Sequence, residues 1–109
     1  FKAADYVAAW QDLERLRKAY LSKTAGFDAV IVPTAPSTPP NIERLLNDDD
    51  YYITENLMAL RNTRIGNLMG LCALTLPTGI PSCGVMLMGH PMQEERLLRL
   101  GLAAEAALG

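Results

Sequence analysis

Two apolar segments of this chain each run directly into a Pro-Thr pair, and this repeated ending constrains the fold most. The first segment is residues 27–32, followed by Pro33, and the second is residues 71–76, followed by Pro77. Short apolar runs that stop at proline are typical of strands, because proline has no amide hydrogen for the next rung of a sheet. Both runs are almost continuously apolar, so we expect a sheet covered on both faces.

Helical patterns flank the two strand segments. Residues 5–22, residues 51–69 and the stretch after Pro91 carry apolar side chains every three or four positions, the period of an amphipathic helix. Residues 84–88, closed by Gly89, predict a third strand. Proline suits the first turn of a helix, so we expect Pro91 to lie in the first turn of the last one. The predicted order is helix, strand, helix, strand, strand, helix, an α/β arrangement.

The predicted sheet is too small to cover itself. Three strands that are apolar on both faces have too few neighbours to protect their edges. The chain also starts without methionine. We therefore expect it to form part of a bigger sheet in a longer protein.

Two polar stretches between the first strand and the second long helix predict irregular structure. Residues 33–40 contain four prolines and should form an extended loop at the end of the strand. Residues 41–50 hold a short amphipathic piece and then the acidic triplet Asp48, Asp49 and Asp50. Adjacent acids point in different directions on any regular element. We therefore interpret the triplet as a solvated turn and helix N-terminal cap rather than a metal site.

Composition narrows the classes of function. Half of the residues are hydrophobic and the formal net charge is −2, so the chain has no basic surface for nucleic acid or anionic lipid. No apolar run approaches the roughly 18 residues needed to span a bilayer. Two cysteines do not make a disulfide framework, which favours a reducing cytoplasm.

The inventory of catalytic groups is thin. His90 is the only histidine and lies between Gly89 and Pro91, where a helix-capping or surface role is expected. Cys72 and Cys83 stand among apolar neighbours and are expected to be buried rather than nucleophilic. The loops that leave the two Pro-Thr strand ends are the places where α/β proteins form ligand pockets. They carry no obvious acid–base groups.

The chain resembles the C-terminal portion of the amidase signature family. The resemblance rests on residues 27–36 (FDAVIVPTAP), on residues 61–63 (RNT) followed by residues 67–79 (NLMGLCALTLPTG), and on residues 84–89 (GVMLMG) leading into residues 95–100 (ERLLRL). An apolar strand ending in Pro-Thr is common by itself. The order and spacing of all the segments are specific, and they cover nearly the whole chain.

The resemblance implies an enzyme several times longer than this chain, with an α/β fold built on a large mixed β-sheet covered by helices. Residues 1–109 would be the C-terminal segment of an amidase signature domain, a hydrolase that cleaves carbon–nitrogen bonds of amides. The implied mechanism uses a serine nucleophile, a second serine in a cis peptide and a lysine, with backbone amides holding the oxyanion. The segment that carries these residues lies upstream in the family. We therefore assign no catalytic residue, cofactor or metal ligand to this chain.

The resemblance also places four polar residues near the wall of the substrate pocket. They are Arg61, Asn62, Thr63 and Asn67. A structural role as a cap of the helix end is favoured for Asn67. Substrate contact and simple exposure are equally compatible with Arg61. The implied partner is a small amide substrate, with no nucleic acid and no membrane.

Two alternative functions stay open. Family members that take glutamine for transfer to aminoacyl-tRNA carry an acid just ahead of the matching threonine, whereas here Leu60, Arg61 and Asn62 precede Thr63. This departure favours a stand-alone amidase over an amidotransferase subunit. The third interpretation is a non-catalytic α/β association module, because the apolar stripes of the first and last helices could pair between chains in a homodimer.

Overall fold

The computed structural model describes residues 1–109, which form five helices and one three-stranded sheet. The helices are α1 (Ala3–Thr24), α2 (Ile42–Asn47), α3 (Asp49–Ala59), α4 (Arg61–Met69) and α5 (Glu94–Leu108). The strands are β1 (Val30–Pro33), β2 (Cys72–Pro77) and β3 (Gly84–Gly89). The α/β class is confirmed.

The last strand in the chain occupies the centre of the sheet. The strand order is β1-β3-β2, and β3 pairs antiparallel with both neighbours. Pro33 lies opposite Val85 and Pro77 lies opposite Gly84, so both Pro-Thr strand endings flank the first residues of β3. The two loops that leave these strands therefore start at the same end of the sheet.

Helix α5 covers one face of the sheet. Leu97 of α5 packs with Leu76 of β2 and Leu87 of β3, and these three buried leucines form the core cluster. Gly101 permits this close approach, since a Cβ atom there would lie 2.1 Å from Cδ2 of Leu74.

The opposite face carries the buried side chains of Met86 and Met88. Gly66 of α4 lies over Met88, where a Cβ atom would be 3.6 Å from the methionine sulfur. Helix α1 packs against α4 in turn. Helices thus lie on both faces, as the apolar strands predict.

The molecule is a thin slab. Its principal extents are 49 × 43 × 18 Å and its radius of gyration is 17.0 Å, against about 13 Å for a compact domain of this length. Eight of the 109 residues are buried. Large apolar side chains are exposed on the outer strand β1 and on helices of both faces: Trp10, Ile31, Leu57, Leu102. The chain alone thus leaves much of its apolar surface open to solvent.

Two predicted boundaries are wrong for reasons of pairing and backbone geometry. Strand β1 begins at Val30 rather than at residue 27, because Val30 lies opposite Met88 and β3 ends one residue later. The last helix begins at Glu94 rather than at Pro91. Met92 takes a left-handed backbone with φ 59°, and a residue in that conformation interrupts a right-handed helix.

The predicted helix over residues 51–69 is two helices. Leu60 has φ −88° and ψ −2° and ends α3, and α4 starts at the next residue. The break sets a new phase, in which Asn62, Gly66 and Met69 of α4 are the more buried residues. The contact of α4 with the sheet thus determines where the helix breaks, although the helical spacing of apolar residues continues across the break. Gly70, in a left-handed conformation, ends α4.

The acidic triplet caps α3, as expected. The side chain of Asp48 accepts hydrogen bonds from the Tyr51 amide at 2.9 Å and from the Arg44 guanidinium at 3.3 Å. Asp49 and Asp50 lie in the first turn of α3, where their negative charges interact favourably with the positive end of the helix dipole. The hydrogen bond from the Tyr51 amide lowers the pKa of Asp48 below its ordinary value, and the hydrogen bond from the Arg44 side chain adds a smaller effect in the same direction.

We expect Gly101→Ala to lower the free energy of unfolding by about 1–2 kcal/mol. Overpacking against Leu74 costs about 1–3 kcal/mol, and the helix propensity of alanine returns up to about 1 kcal/mol. Urea denaturation of the two chains measures the difference. Gly26→Ala is the control, because a Cβ atom there has no neighbour within 4 Å. Leu74→Ala should cost less when combined with Gly101→Ala than alone, and strict additivity would contradict the clash.

We expect Asp48→Asn to flatten the acid limb of the stability profile. The pKa of Asp48 is lower in the folded chain, so its contribution is present above the ordinary aspartate range and is lost as the pH falls through the depressed pKa. Asparagine still caps a helix but has no charge to titrate. Urea midpoints measured from about pH 5 to pH 2 should fall less steeply for the variant. Equal slopes would show that this cap does not depend on the charge.

Candidate functional site

The candidate site lies at the sheet end where β1 and β2 finish and β3 begins. The amide of Thr34 donates to the Gly84 carbonyl at 2.9 Å, which extends the pairing of β1 one residue beyond Pro33. The Thr34 hydroxyl donates to the Thr75 hydroxyl at 3.3 Å across β3. The two outer strands are therefore linked over the start of the central strand.

Gly84 is required by this arrangement. A Cβ atom at Gly84 would lie 2.9 Å from Oγ1 of Thr34 and 3.2 Å from Cγ2 of Thr75. These distances are too short for an ordinary packed contact, so any larger residue would push the two threonines apart. Glycine at the first position of β3 therefore keeps the threonine pair together.

Asn62 attaches α4 to the end of β1. Its side-chain amide donates to the Pro33 carbonyl at 2.7 Å, and the side chain is half-buried. The first turn of α4 therefore lies beside the Pro-Thr end of β1. The amide group of Asn62 is thus already engaged in a hydrogen bond within the chain.

The other three predicted wall residues lie on different sides of α4. Arg61 is exposed on one flank of the helix, and neither its charge nor its nitrogen atoms have a partner in the chain. Thr63 and Asn67 line an open groove of about 320 Å³ on the outer surface, together with Leu60 and Arg64. The structure thus separates Asn62 from the other three instead of joining all four in one cluster.

Asn67 does not cap α4 with its side chain. The Gly70 amide donates to the backbone carbonyl of Asn67 at 3.3 Å, and the Leu71 amide donates to the Gly66 carbonyl at 2.9 Å. The left-handed Gly70 makes this closure possible, so a side-chain cap is not needed. The expected capping role of Asn67 is wrong, and its exposed amide is free for other contacts.

Helix α4 is also held at its other end. Nε of Arg17, on α1, donates to the Leu68 carbonyl at 2.8 Å, and Nη1 of Arg17 pairs with Glu14 at 2.7 Å. A guanidinium at the carbonyl end of a helix meets both an open acceptor and the negative end of the dipole. Asn62 and Arg17 together fix both ends of the helix that carries the predicted wall.

The opposite end of the sheet holds the only histidine. Nε2 of His90 lies 3.1 Å from Oγ1 of Thr24, which itself donates to the Tyr20 carbonyl at 2.9 Å. A hydroxyl has one proton to donate, so donation to the Tyr20 carbonyl lets the Thr24 oxygen accept from the tautomer of His90 that carries its hydrogen on Nε2. His90 joins α1 to the end of β3, and the expected capping of the last helix is wrong.

Two further groups near this end of the sheet are explained by local bonding and burial. Cys72 is half-buried, and its thiol donates to the His90 carbonyl at 3.0 Å. Burial raises the pKa of Tyr20, since removal from water disfavours the phenolate. Burial therefore favours the neutral form of the Tyr20 phenol.

The turn between β2 and β3 is tight and exposed. Gly79 and Ser82 both have left-handed backbones, with φ 77° and 60°, and the Thr78 hydroxyl donates to the Cys83 carbonyl at 3.0 Å. Cys83 is exposed, which contradicts its predicted burial, because it lies in this turn and not in a strand. The thiol of Cys83 makes no hydrogen bond within the chain.

Sequence patterns alone missed several residues that build the site. Thr34 and Thr75 are distant in sequence, and only the register through β3 brings them together. The sequence predicts that Gly84 starts a strand, but its steric role follows only from the positions of both threonines.

None of the helices combines the length and the apolar character that a membrane-spanning helix requires.

Comparison with known proteins gives a consistent family. The family model described as Amidase matches residues 1–98. A 2-amino-5-chloromuconic acid deaminase from Comamonas testosteroni is 40% identical over 86 residues, which is 75% of this chain and 18% of that protein. A fatty acid amide hydrolase from Oryza sativa subsp. indica is 33% identical, over 96% of this chain and 18% of that protein.

A third relative is a glutamyl-tRNA(Gln) amidotransferase subunit from Rhodococcus erythropolis, which is 33% identical over 75% of this chain and 17% of that protein. No solved structure matches the chain. The chain spans about a fifth of the length of these curated relatives. A match over almost the whole chain shows that it belongs to the amidase family, and the predicted resemblance is confirmed.

We expect Asn62→Ala to destabilise the chain by about 1 kcal/mol relative to Asn67→Ala. Both changes replace an asparagine of α4 by alanine, and Asn67 makes no side-chain hydrogen bond, so the difference reports the contact of the half-buried Asn62 with Pro33. Thermal or urea unfolding of the two variants measures it. Equal stability would show that the contact between α4 and the end of β1 contributes nothing to the fold.

Proposed function

We propose that the chain is the C-terminal segment of a longer enzyme that hydrolyses carbon–nitrogen bonds of amides. The observation that carries the proposal is the Amidase match over residues 1–98. The share of the relatives that the chain covers and its unburied apolar surface both support a longer protein, in which further strands pair with β1 and β2. The chain would then contribute strands, covering helices and one wall of the substrate pocket.

The chemistry would come from a serine, a second serine in a cis peptide and a lysine in the upstream segment. Within this chain the hydroxyl groups of Thr24 and Thr34 are engaged in the fold, through bonds to the Tyr20 carbonyl and to Thr75. Such a chain suits the binding of substrate better than proton transfer. We assign to the wall the residues Arg61, Asn62, Thr63 and Asn67, with Asn62 acting through its bond to Pro33.

The proposed enzyme is cytoplasmic, needs no cofactor and acts on a small amide without nucleic acid. A homodimer through the exposed stripes of α1 and α5 is compatible with the surface at Trp10 and Leu102. The names of two relatives indicate two substrate classes. The Comamonas testosteroni relative is named for an acid, 2-amino-5-chloromuconic acid, and the Oryza sativa relative is named for fatty acid amides.

A second candidate function is that of an amidotransferase subunit, which the Rhodococcus erythropolis relative favours. No carboxylate stands between Leu60 and Thr63, where the resemblance implies an acid in glutamine-using members. This difference makes a stand-alone amidase the better candidate. Co-purification with tRNA and a second protein of the amidotransferase would support the other function instead.

We expect the polypeptide made by the native source to have a mass several times the 11.9 kDa of this chain. That polypeptide should release ammonia from simple amides, and the 109-residue chain alone should release none. Intact mass spectrometry and an ammonia assay measure the two properties. A native mass of 11.9 kDa, or hydrolysis by the short chain, would overturn the proposal.

A further inference from the structure

The groove on α4 has one charged residue among neutral neighbours. Its lining residues are Leu60, Thr63, Arg64 and Asn67, which recur at the spacing of a single helix face. This face is turned away from Asn62, which bonds to the sheet end. Leu60 gives the groove an apolar surface, and Thr63 and Asn67 give it neutral polar groups.

Arg64 differs from most of the other arginines in having no acidic partner. Five arginines form ion pairs with Asp or Glu: Arg15, Arg17, Arg44, Arg96 and Arg99. Arg61 and Arg64 form none, and they lie three residues apart on a helix without any acidic residue. The guanidinium of Arg64 therefore enters the groove region with its charge and its donors available.

The neutral groups of the groove are also available to a ligand. The Thr63 hydroxyl donates to the Leu60 carbonyl at 3.3 Å, which leaves its oxygen as an acceptor. The Asn67 side chain offers an amide donor and a carbonyl acceptor. Arg64 and Asn67 stand three residues apart on the helix, so their Cβ atoms are about 5–6 Å apart. One small ligand that carries an anionic group and a polar group can therefore reach both side chains.

We propose that this groove selects substrates that carry a carboxylate close to the amide, and that Arg64 is the residue that binds the carboxylate. A guanidinium presents paired donors that match both oxygens of a carboxylate, and no acid in the groove competes for them. The positive charge of Arg61 adds to the attraction at longer range. This inference rests on the proposed function and adds the substrate class to it.

The test compares two amides on the polypeptide as its native source produces it. Succinamic acid carries a carboxylate, and butyramide is a neutral amide of similar size. We expect Arg64→Ala to raise the ratio of KM for succinamic acid to KM for butyramide by about tenfold or more, since charge-assisted hydrogen bonds are lost. Arg64→Lys should give a smaller rise, because it keeps the charge without the paired donors.

Arg99→Ala is the matched control, because it removes the same charge from an exposed ion pair on α5. It should leave the KM ratio unchanged. An unchanged ratio in Arg64→Ala, or an equal rise for both amides, would overturn the inference while the enzyme activity stands.

A failure of the unaltered polypeptide to hydrolyse either amide counts against the proposed function instead. In that case, isothermal titration calorimetry of the same polypeptide with succinamic acid tests the inference directly. Arg64→Ala should weaken this binding at least about tenfold, and Arg99→Ala should not. No binding by the unaltered polypeptide, or equal binding by both variants, would overturn the assignment of Arg64.

Discussion

The pairing of β3 with both other strands is the contact on which the rest of the structure depends. This strand supplies the buried residues Met86, Leu87, Met88 and Gly89, half of all those that the chain buries. Two of the other four buried residues, Leu76 and Leu97, pack with Leu87 in the core cluster. Because β3 comes after both of its partners in the chain, β1 and β2 have no sheet to join until β3 is in place. Folding therefore requires pairing over a long sequence separation, which is entropically costly.

The same pairing also creates the candidate site. An antiparallel strand between two outer strands brings both Pro-Thr endings to one end of the sheet. Gly84 lets Thr34 and Thr75 meet across the first residue of β3, and Asn62 attaches α4 to the carbonyl of Pro33. The position of the groove on α4 thus follows from sheet register through a short series of hydrogen bonds. Arg17 adds a second attachment at the far end of the helix, so α4 is held at both ends.

The sequence predicted those features that depend on local pattern and missed those that depend on register and helix phase. Proline after an apolar run predicted the strand ends, and the helical spacing of apolar residues predicted α1. The acidic triplet predicted the N-terminal cap of α3. The break at Leu60 was missed because the apolar period continues across it. That break sets which way each residue of α4 points, so the family resemblance named candidate wall residues but did not predict the separation of Asn62 from Thr63 and Asn67. The sequence does carry a signal for Arg64, because none of the residues three or four positions before or after it is acidic.

Polar groups around the sheet bond to one another within the chain, whereas Arg64 and Asn67 on the outer face of α4 have no such partners. Around the sheet, the Thr24 hydroxyl, Nε2 of His90 and the Cys72 thiol are each engaged in a hydrogen bond. Buried polar groups are costly without partners, so these bonds stabilise the fold. On the outer face of α4 the opposite holds, since Arg64 and Asn67 have no side-chain partner and gain none from α4 itself. A helix that is anchored at both ends and carries free donors on its outer face is suited to orient a ligand. Catalysis in a family of amide hydrolases needs that rigidity, because positioning of the substrate lowers the entropy lost in reaching the transition state. Under the proposed function, the chain would form a rigid wall that binds substrate, while the upstream segment would carry out the chemistry.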